Sequence, residues 1–304
     1  MKSKMDISKL MVDYDTESEC RAYLEELRWR DEITCPRCGG KTISRIKARD
    51  QFDCDSCRYQ FSVMSGTIFH DSHLPLPKWF IATFLICESR KGMSANQLSR
   101  ILGVSYKTAW YLCHRIRAAM KEVNPSKLDG TVEMDETYIG GKEHHGRGWN
   151  VPGNNKEVVI GIRERGGNLR FFHAEDAKSG TLAKYIRENV STDVDVMVTD
   201  ELPAYPKAMI AAGIKGGQHK TIRHRDKVYV DGDIHTNTVE SAFSLLKRGI
   251  IGSWHKISAK HLQAYLDEMT WRFDNRKNPY LFRDTMMKLI SSTNLPYSQL
   301  TDAA

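Results

Sequence analysis

Long apolar runs are missing from this 304-residue sequence. The longest, Trp79 to Cys87, has nine residues, whereas a membrane-spanning helix needs about 20. No apolar run follows the lysines near the amino terminus, so we expect neither a secretory signal nor a membrane partner. Repeats and low-complexity tracts are missing too, and a hydrophobic share of 40% argues against wholesale disorder. We therefore expect a cytoplasmic protein of roughly two domains with real hydrophobic cores.

The whole chain has a net charge of +7, and the positive charge is concentrated in one part of it. Residues 71–130 carry nine basic and four acidic side chains. Residues 1–70 carry twelve of each, and residues 131–304 carry 24 basic and 22 acidic side chains. A local basic excess is what a module that binds a polyanion needs, because each Lys or Arg on a phosphate releases counterions. A solvated basic face is the alternative interpretation.

Cysteine is the residue type with the clearest spacing. The seven cysteines are an odd number, which does not suggest a disulfide framework. Four of them form two C-x-x-C pairs separated by fifteen residues: Cys35, Cys38, Cys54 and Cys57. Two such pairs supply four thiolates for a tetrahedral Zn²⁺, and Gly39-Gly40 gives the backbone freedom for a tight turn. The spacing predicts a zinc ribbon; unmetallated buried or redox cysteines are the alternative.

A helix-turn-helix is predicted within the basic segment. Ser94 and Gln97 fit a capping box, Gly103 ends the helix that they open, and Ser105 can cap a second helix. In that geometry the N-terminal residues of the second helix enter the DNA major groove. An ordinary helical hairpin is the alternative. If the helix binds DNA, the expected base contacts are Tyr106, Lys107, Thr108 and Tyr111, and the expected phosphate contacts are Arg115 and Arg117.

Strands and helices alternate from about residue 130 onward, which predicts an α/β layer domain. Asp135 lies in one predicted strand, Asp200 directly follows another, and Glu240 lies on a helical run. Carboxylates from two strands and a helix can converge on a pair of divalent ions that act on a phosphodiester. Taken singly, such acids are usually solvated. Three neighbouring acids compete for the same role: Glu133, Glu136 and Glu201.

The combination of motifs is more specific than any one of them. The distinctive stretches are Cys35–Gly39, Phe61–Thr67, Val132–Gly141, Val198–Asp200, His235–Ser241 and Leu246–Gly249. In these the chain resembles bacterial insertion-sequence transposases that join an N-terminal zinc ribbon to an RNase H-like DDE domain. The resemblance implies that Asp135, Asp200 and Glu240 bind the catalytic ions, two Mg²⁺ or Mn²⁺. It leaves Asn237 and His235 as minor alternatives for the third position.

The resemblance also implies an architecture and an activity. Residues 1–70 would form an N-terminal helix and the zinc ribbon, residues 71–128 the helix-turn-helix segment, and residues 129–304 an RNase H-like mixed sheet flanked by helices. The chain would bind the terminal inverted repeats of an element and catalyse strand cleavage and strand transfer. It would do so as a homo-oligomer, at least a dimer on double-stranded DNA, within the nucleoid.

Two further elements follow from the same resemblance. Lys247 would flank the substrate strand, and the loop 141–155 would be either a DNA contact or a plain surface loop. Two rival functions remain open. One is a DNA-binding regulator whose RNase H-like domain is inactive, and the other is a structure-selective nuclease that cuts without joining.

Overall fold

The computed structural model of the chain describes residues 5–140, 156–222 and 233–302. The chain divides into two compact units, Met1–Lys121 with Asn275–Ala304, and Glu122–Asp274. Within the described residues, no helix is long and apolar enough to cross a membrane.

The first unit begins with two helices and a small antiparallel sheet. The helices are α1 (Ile7–Asp13) and α2 (Glu17–Arg28), and the strands are β1 (Ile43–Ile46), β2 (Gln51–Cys54) and β3 (Gln60–Phe61). The ribbon has a core of only a few side chains, so apolar burial alone stabilises it little. Its main apolar members are Trp29, Ile33, Phe52 and Phe61.

Three helices follow the ribbon in the same unit. These are α3 (Leu76–Glu88), α4 (Ala95–Leu102) and α5 (Tyr106–Met120). Helix α5 packs against both α3 and α4. It is therefore an internal helix of the unit over much of its length, and most of its side chains after Trp110 are buried.

The turn between α4 and α5 follows from local sequence. Ser94 accepts a hydrogen bond from the N–H of Gln97 at 3.1 Å, and Ser105 accepts one from the N–H of Thr108 at 3.1 Å. Between the helices Gly103 has a φ of 61°, which residues with a Cβ rarely adopt. The two helices and the short turn predicted from these residues are present.

The second unit is built on a mixed sheet. Its strands are β4 (Thr131–Ile139), β5 (Glu157–Glu164), β6 (Leu169–Ala174), β7 (Val196–Thr199) and β8 (His219–Thr221). They lie in the order β6-β5-β4-β7-β8. Strand β5 is antiparallel to both β4 and β6, whereas β7 is parallel to β4 and β8 is parallel to β7. An antiparallel meander extended by parallel strands is the RNase H-like arrangement, so the predicted fold class is confirmed.

Helices cover both faces of this sheet. Helices α6 (Ser179–Asn189) and α7 (Ala204–Ala212) form one hydrophobic core with it. On the other face, α8 (Asn237–Gly249) and α9 (Ala259–Asp274) form a second core. A single π-helical segment, Ile250–Trp254, connects α8 to the turn before α9.

The C-terminal residues belong to the first unit. Helix α10 (Leu281–Ser291) packs against α2, α3 and α5, and α11 (Tyr297–Thr301) follows it. The sequence analysis assigned residues 129–304 to one domain, and the structure corrects this boundary to residue 274. The reason is the apolar stripe of α10, which is buried within the first unit: Leu281, Phe282, Met286, Leu289 and Ile290.

Candidate active site and metal centre

The four predicted zinc ligands converge in the ribbon. The Sγ atoms of Cys35, Cys38, Cys54 and Cys57 all lie within 4.8 Å of one another. Two of the Sγ–Sγ distances are 3.7 Å, between Cys35 and Cys57, and 3.6 Å, between Cys38 and Cys54. Four sulfurs bound at about 2.3 Å to a tetrahedral Zn²⁺ would be about 3.8 Å apart. The donor set and its spacing therefore fit one structural Zn²⁺.

Gly40 completes the sulfur cluster. Its N–H points to the Sγ of Cys38 at 3.4 Å, and its carbonyl accepts from the N–H of Cys35 at 2.9 Å. A Cβ at this position would lie 3.2 Å from the Sγ of Cys38 and 3.3 Å from that of Cys54. Any larger residue would crowd the sulfurs, so there is a steric reason for a glycine at position 40.

In the second unit, strand register brings Asp135 and Asp200 together. Glu133 of β4 is opposite Val198 of the parallel strand β7. Two residues further on, Asp135 is level with Asp200, directly beyond the end of β7. Carboxylate oxygens of Asp135, Glu136 and Asp200 all lie within 4.8 Å of one another. The two predicted aspartates are therefore brought to one place by the sheet.

Glu136 is a member of this cluster that the sequence analysis treated only as a competitor. Side chains alternate along β4, so Glu136 points to the sheet face opposite that of Asp135. There the hydroxyl of the buried Tyr205, in α7, donates to Glu136 Oε2 at 2.7 Å. It belongs to the cluster because it lies next to Asp135 at the level where β7 ends.

Unbalanced negative charge characterises the cluster. Burial, as the largest cause, and the charges of Glu136, Asp200 and Glu240 together raise the pKa of Asp135 to about 7. Burial also raises the pKa of Glu136, although the Tyr205 hydroxyl opposes the rise. A divalent cation between these oxygens would remove both the repulsion and the cost of burial. The oxygen-only donor set is the kind that Mg²⁺ prefers.

Glu240 lies in the first turn of α8 and is exposed. It is not in the group of three, and its Oε1 accepts a hydrogen bond from the hydroxyl of Thr236 at 2.8 Å. Its charge nevertheless contributes to the raised pKa of Asp135, which places it within electrostatic reach of the cluster. The structure thus brings two of the three predicted acids together and leaves the third beside them.

A glycine allows α8 to approach the strands closely at this level. Gly161 of β5 pairs with Asp135 in the sheet. A Cβ at Gly161 would lie 2.7 Å from Phe243 Cζ and 2.9 Å from Val239 Cγ2, both on α8. Such distances are too short for real contacts. The helix that carries Glu240 is therefore packed directly on backbone next to Asp135.

Family comparisons agree with this arrangement. Residues 127–274 match the model described as the ISXO2-like transposase domain, and residues 15–60 match the transposase zinc-ribbon domain. The chain belongs to the insertion-sequence transposases. The match to the transposase domain ends at residue 274, where the second unit also ends.

Similar proteins are also found in whole-chain comparisons. An uncharacterized protein of the transposable element ISH50 from Halobacterium salinarum is 29% identical over 281 residues, which cover 86% of this chain and 93% of that protein. A chain of the Mos1 strand transfer complex aligns with 70% of this chain and 75% of its own length, at 12% identity and a TM-score of 0.32. A chain of the simian T-cell lymphotropic virus intasome covers 62% and 64%, at 14% identity and a TM-score of 0.31. The structural overlaps are partial, and the fold follows from the strand order.

The side chains at the start of α5, the second helix of this pair, are exposed or half-buried. Tyr106 is 53% exposed, Lys107 is exposed and Thr108 is half-buried. In the other unit, the side chain of Lys247 is exposed on α8. These four residues are accessible to a ligand, as a DNA contact requires.

Tyr111 is engaged within the first unit. Its hydroxyl donates to the carbonyl of Leu295 at 2.6 Å, and its ring meets that of Tyr297 at a centroid distance of 5.3 Å. Tyr297 also lies under the ammonium of Lys107, at 4.6 Å. The C-terminal segment of the transposase therefore contacts the same side of α5 that was predicted to read bases.

The structure corrects the roles predicted for Arg115 and Arg117. Their exposed fractions are 3% and 1%, so neither side chain is available to a phosphate. Arg115 Nη2 donates to the carbonyl of His70 at 2.6 Å and to Asn294 Oδ1 at 3.1 Å. The physical reason is that α5 is covered by α3, α4 and α10, which the sequence pattern of α5 alone does not show.

The two alternatives for the third ligand differ in their surroundings. Asn237 is exposed at the start of α8. His235 Nδ1 lies 3.3 Å from Glu133 Oε1 and 3.2 Å from Arg165 Nη2, so its ring is engaged by other groups. The loop 141–155, which was predicted to be either a DNA contact or a plain surface loop, lies outside the described residues.

Proposed function

We propose that this transposase binds the ends of its insertion sequence and cuts and joins DNA strands at a site formed by Asp135, Asp200 and Glu240. The observation that carries the proposal is the register of β4 and β7, which sets Asp135 level with Asp200 at the end of a parallel strand. Sites in α/β sheets form at such strand ends. A transposase domain that has this acidic cluster has the parts needed for phosphodiester chemistry.

Glu240 is a better third ligand than Glu136 for geometric reasons. Asp135 shares its face of β4 with Glu133, whose carboxylate contacts α8, so Asp135 points toward the helix that carries Glu240. Glu136 points to the other face and is held there by Tyr205. Glu240 is exposed in the first turn of α8, and its Oε1 accepts a hydrogen bond from the nearby Thr236, so the carboxylate lies at the surface, where a cation can reach it.

Two divalent ions, Mg²⁺ or Mn²⁺, would when bound activate the attacking water or 3′-hydroxyl and stabilise the leaving oxygen. The role of the protein is to hold carboxylate oxygens at fixed positions. These carboxylates have to be deprotonated to bind the ions. Asp135 has to release its proton before it can serve as a ligand, because its pKa is raised to about 7. Metal binding and strand cleavage should therefore strengthen as pH rises through neutrality.

DNA would be bound mainly by the first unit. The start of α5 exposes Tyr106, Lys107 and Thr108 in the segment with the basic excess, and Lys247 would contact the substrate strand beside the acids. Joining two element ends to a target requires at least two subunits, so we propose a homo-oligomer on DNA. The ribbon, with one structural Zn²⁺, would support end recognition.

The experiment compares three single variants of the full-length protein: Glu240→Gln, Glu136→Gln and Glu201→Gln. Each removes one charge and keeps the side-chain size, and Glu201 is the control because it adjoins Asp200 but is not in the cluster. End binding is measured by gel shift, and nicking and strand transfer are measured on labelled element ends with Mg²⁺. Glu240→Gln should lower nicking by orders of magnitude and leave end binding unchanged, because one ligand of the ions is lost.

Glu136→Gln should retain more nicking than Glu240→Gln, and Glu201→Gln should resemble the wild type. If Glu136→Gln is the inactive variant and Glu240→Gln is active, the ions are held on the α7 side of the sheet instead. End binding without any nicking by the wild type would identify a DNA-binding regulator. Nicking without strand transfer would identify a nuclease.

A further inference from the structure

Glu133 is a fully buried carboxylate in β4, two residues before Asp135. A buried carboxylate costs several kcal/mol unless surrounding groups compensate its charge. Glu133 Oε1 accepts a hydrogen bond from Arg165 Nε at 2.7 Å and lies 3.3 Å from His235 Nδ1. This oxygen of Glu133 is therefore compensated by groups of the protein.

The other oxygen of Glu133 meets the N-terminus of α8. Oε2 accepts the backbone N–H of Thr238 at 2.9 Å, the backbone N–H of Val239 at 3.0 Å and the hydroxyl of Thr238 at 2.7 Å. Thr236, the N-cap residue, makes no side-chain cap, because its hydroxyl donates to Glu240 instead. First-turn N–H groups have no partners within a helix. Glu133 therefore caps α8 from a strand that is 105 residues earlier in the sequence.

Two arginines also bind the first turn of α8. Arg163 lies in β5, and Arg165 directly follows this strand. Arg165 Nη2 donates to the carbonyl of His235 at 2.8 Å. Arg163 Nη1 donates to the carbonyl of Thr238 and to Ser241 Oγ, the latter at 3.3 Å. Arg165 thus binds both Glu133 and the chain that enters α8, so the cap, its counter-charge and the helix start form one connected network.

We propose that Glu133 is a positioning residue of the catalytic site, which fixes the first turn of α8 to β4 and thereby sets the separation of Asp135 and Glu240. The inference rests on the proposed function, in which these two acids bind the same ions. Asp135 is two residues from Glu133 on the same face of β4, and Glu240 directly follows the capped Val239. Because two adjacent N–H groups donate to one oxygen, the turn cannot slide or rotate without losing a bond.

The test measures the effect of Glu133→Gln on Mn²⁺ affinity in the absence of DNA. Glutamine keeps the size of the side chain but removes its charge. Its NH₂ group, which replaces one carboxylate oxygen, cannot accept a hydrogen bond. Full-length, zinc-loaded protein is titrated with Mn²⁺, and free Mn²⁺ is followed by electron paramagnetic resonance. Affinity should fall about 10–100-fold, as it does when a group that orients a ligand is lost. Hydrogen exchange of the amides in the first turn of α8 should be faster in the metal-free variant.

Asp274→Asn is the matched control. Like Glu133, Asp274 accepts a backbone N–H, from Leu169 at 2.8 Å, and a guanidinium N–H, from Arg170 at 3.1 Å, but it does so at the far edge strand β6. It should lose stability without changing Mn²⁺ affinity. Gly161→Ala is a second test variant, because its Cβ would push Phe243 and α8 outward without touching Glu133. It should weaken Mn²⁺ binding in the same way, which keeps the inference testable if Glu133→Gln fails to fold.

A double variant separates positioning from general destabilisation. In a Glu240→Gln background, Glu133→Gln should cause no further loss of Mn²⁺ affinity, because its effect passes through Glu240. A full, additive loss in that background would show that Glu133 acts by another route. A folded Glu133→Gln variant that binds Mn²⁺ as tightly as the wild type would overturn the inference alone. Failure of the wild type to bind Mn²⁺ at the acids would instead overturn the proposed function.

Discussion

Replacing Asp135 by Asn should make the metal-free protein more stable at neutral and alkaline pH, although it removes a proposed catalytic ligand. In the folded protein the pKa of Asp135 is raised to about 7, mainly by burial and then by the charges of Glu136 and Asp200. Its ordinary value is 3.8. The folded chain therefore binds this proton more tightly than the unfolded chain does, and the stability of the metal-free protein falls as pH rises from about 4 to about 7.

The size of the effect follows from the two pKa values. At about 1.36 kcal/mol per pH unit, the raised pKa of Asp135 costs about 1.5 kcal/mol at pH 5, where the folded protein keeps this carboxyl protonated, and about 4 kcal/mol at pH 8, where it is ionised. Asparagine carries no charge and keeps the oxygen that accepts the N–H of Glu136, a bond of 2.8 Å in the wild type. Its amide group can also donate to the neighbouring carboxylates. About 4 kcal/mol is therefore the upper value of the gain at pH 8.

The assay is calorimetric unfolding of the zinc-loaded protein at pH 5 and pH 8, with and without Mg²⁺. For a domain of this size, 1 kcal/mol corresponds to about 2–4 °C in Tm. Without Mg²⁺, Asp135→Asn should raise the Tm of the second unit by several degrees more at pH 8 than at pH 5. Added Mg²⁺ should stabilise the wild type at pH 8 and the variant much less, because binding to the folded state alone stabilises it.

Asp193→Asn is the control, since this aspartate is exposed on the same unit and should be replaceable at both pH values. A gain for Asp135→Asn that is equal at pH 5 and pH 8 would refute the electrostatic explanation. So would a variant that is less stable than the wild type at pH 8 in the absence of metal, because Asp135 would then be compensated by the protein.

Two further predictions concern the first unit. Cys38→Ser should abolish the binding of one zinc ion per chain, measured by elemental analysis after chelator washing, and should unfold the ribbon while the second unit keeps its own unfolding transition, because so small a core depends on metal. Arg115→Ala should lower stability by about 2–4 kcal/mol, since the carbonyl of His70 and the amide oxygen of Asn294 lose their donor, and it should leave the salt dependence of DNA binding unchanged. A flatter salt dependence in a stably folded Arg115→Ala protein would restore the phosphate contact that burial argues against.

Local spacing was sufficient to predict the ribbon and the strand with the first aspartate. Two C-x-x-C pairs define four ligands by themselves, and β4 spans the predicted Thr131–Ile139. The turn between α4 and α5 was equally accessible, because Ser94, Gly103 and Ser105 act on their immediate neighbours. In this turn the residues that determine the structure lie within about four positions of the groups that they bind.

Features that depend on distant partners were not predictable. Arg115 and Arg117 are basic residues of a helix in the segment with the basic excess, yet α10, which is more than 150 residues further along the chain, helps to bury α5. Glu136 lies in the acidic cluster because β7 ends beside it, and its orientation depends on Tyr205 in α7. A single sequence shows such a residue as one acid among several, since nothing near it in the chain indicates its neighbours in space.

Glu133 and Asp135 are two carboxylic acids on one strand whose surroundings give them different roles. They share a face of β4, and both are removed from bulk water, Glu133 completely. Glu133 is surrounded by donors from Arg165, Thr238 and Val239, which satisfy both oxygens. Among the described residues, the donor that the structure shows for Asp135 is the N–H of Glu136, and the other neighbours are carboxylates that repel it. The first acid therefore stabilises the position of a helix. In the function that we propose, the second is left for a cation to compensate, and the instability of the metal-free site would be the source of its affinity for metal.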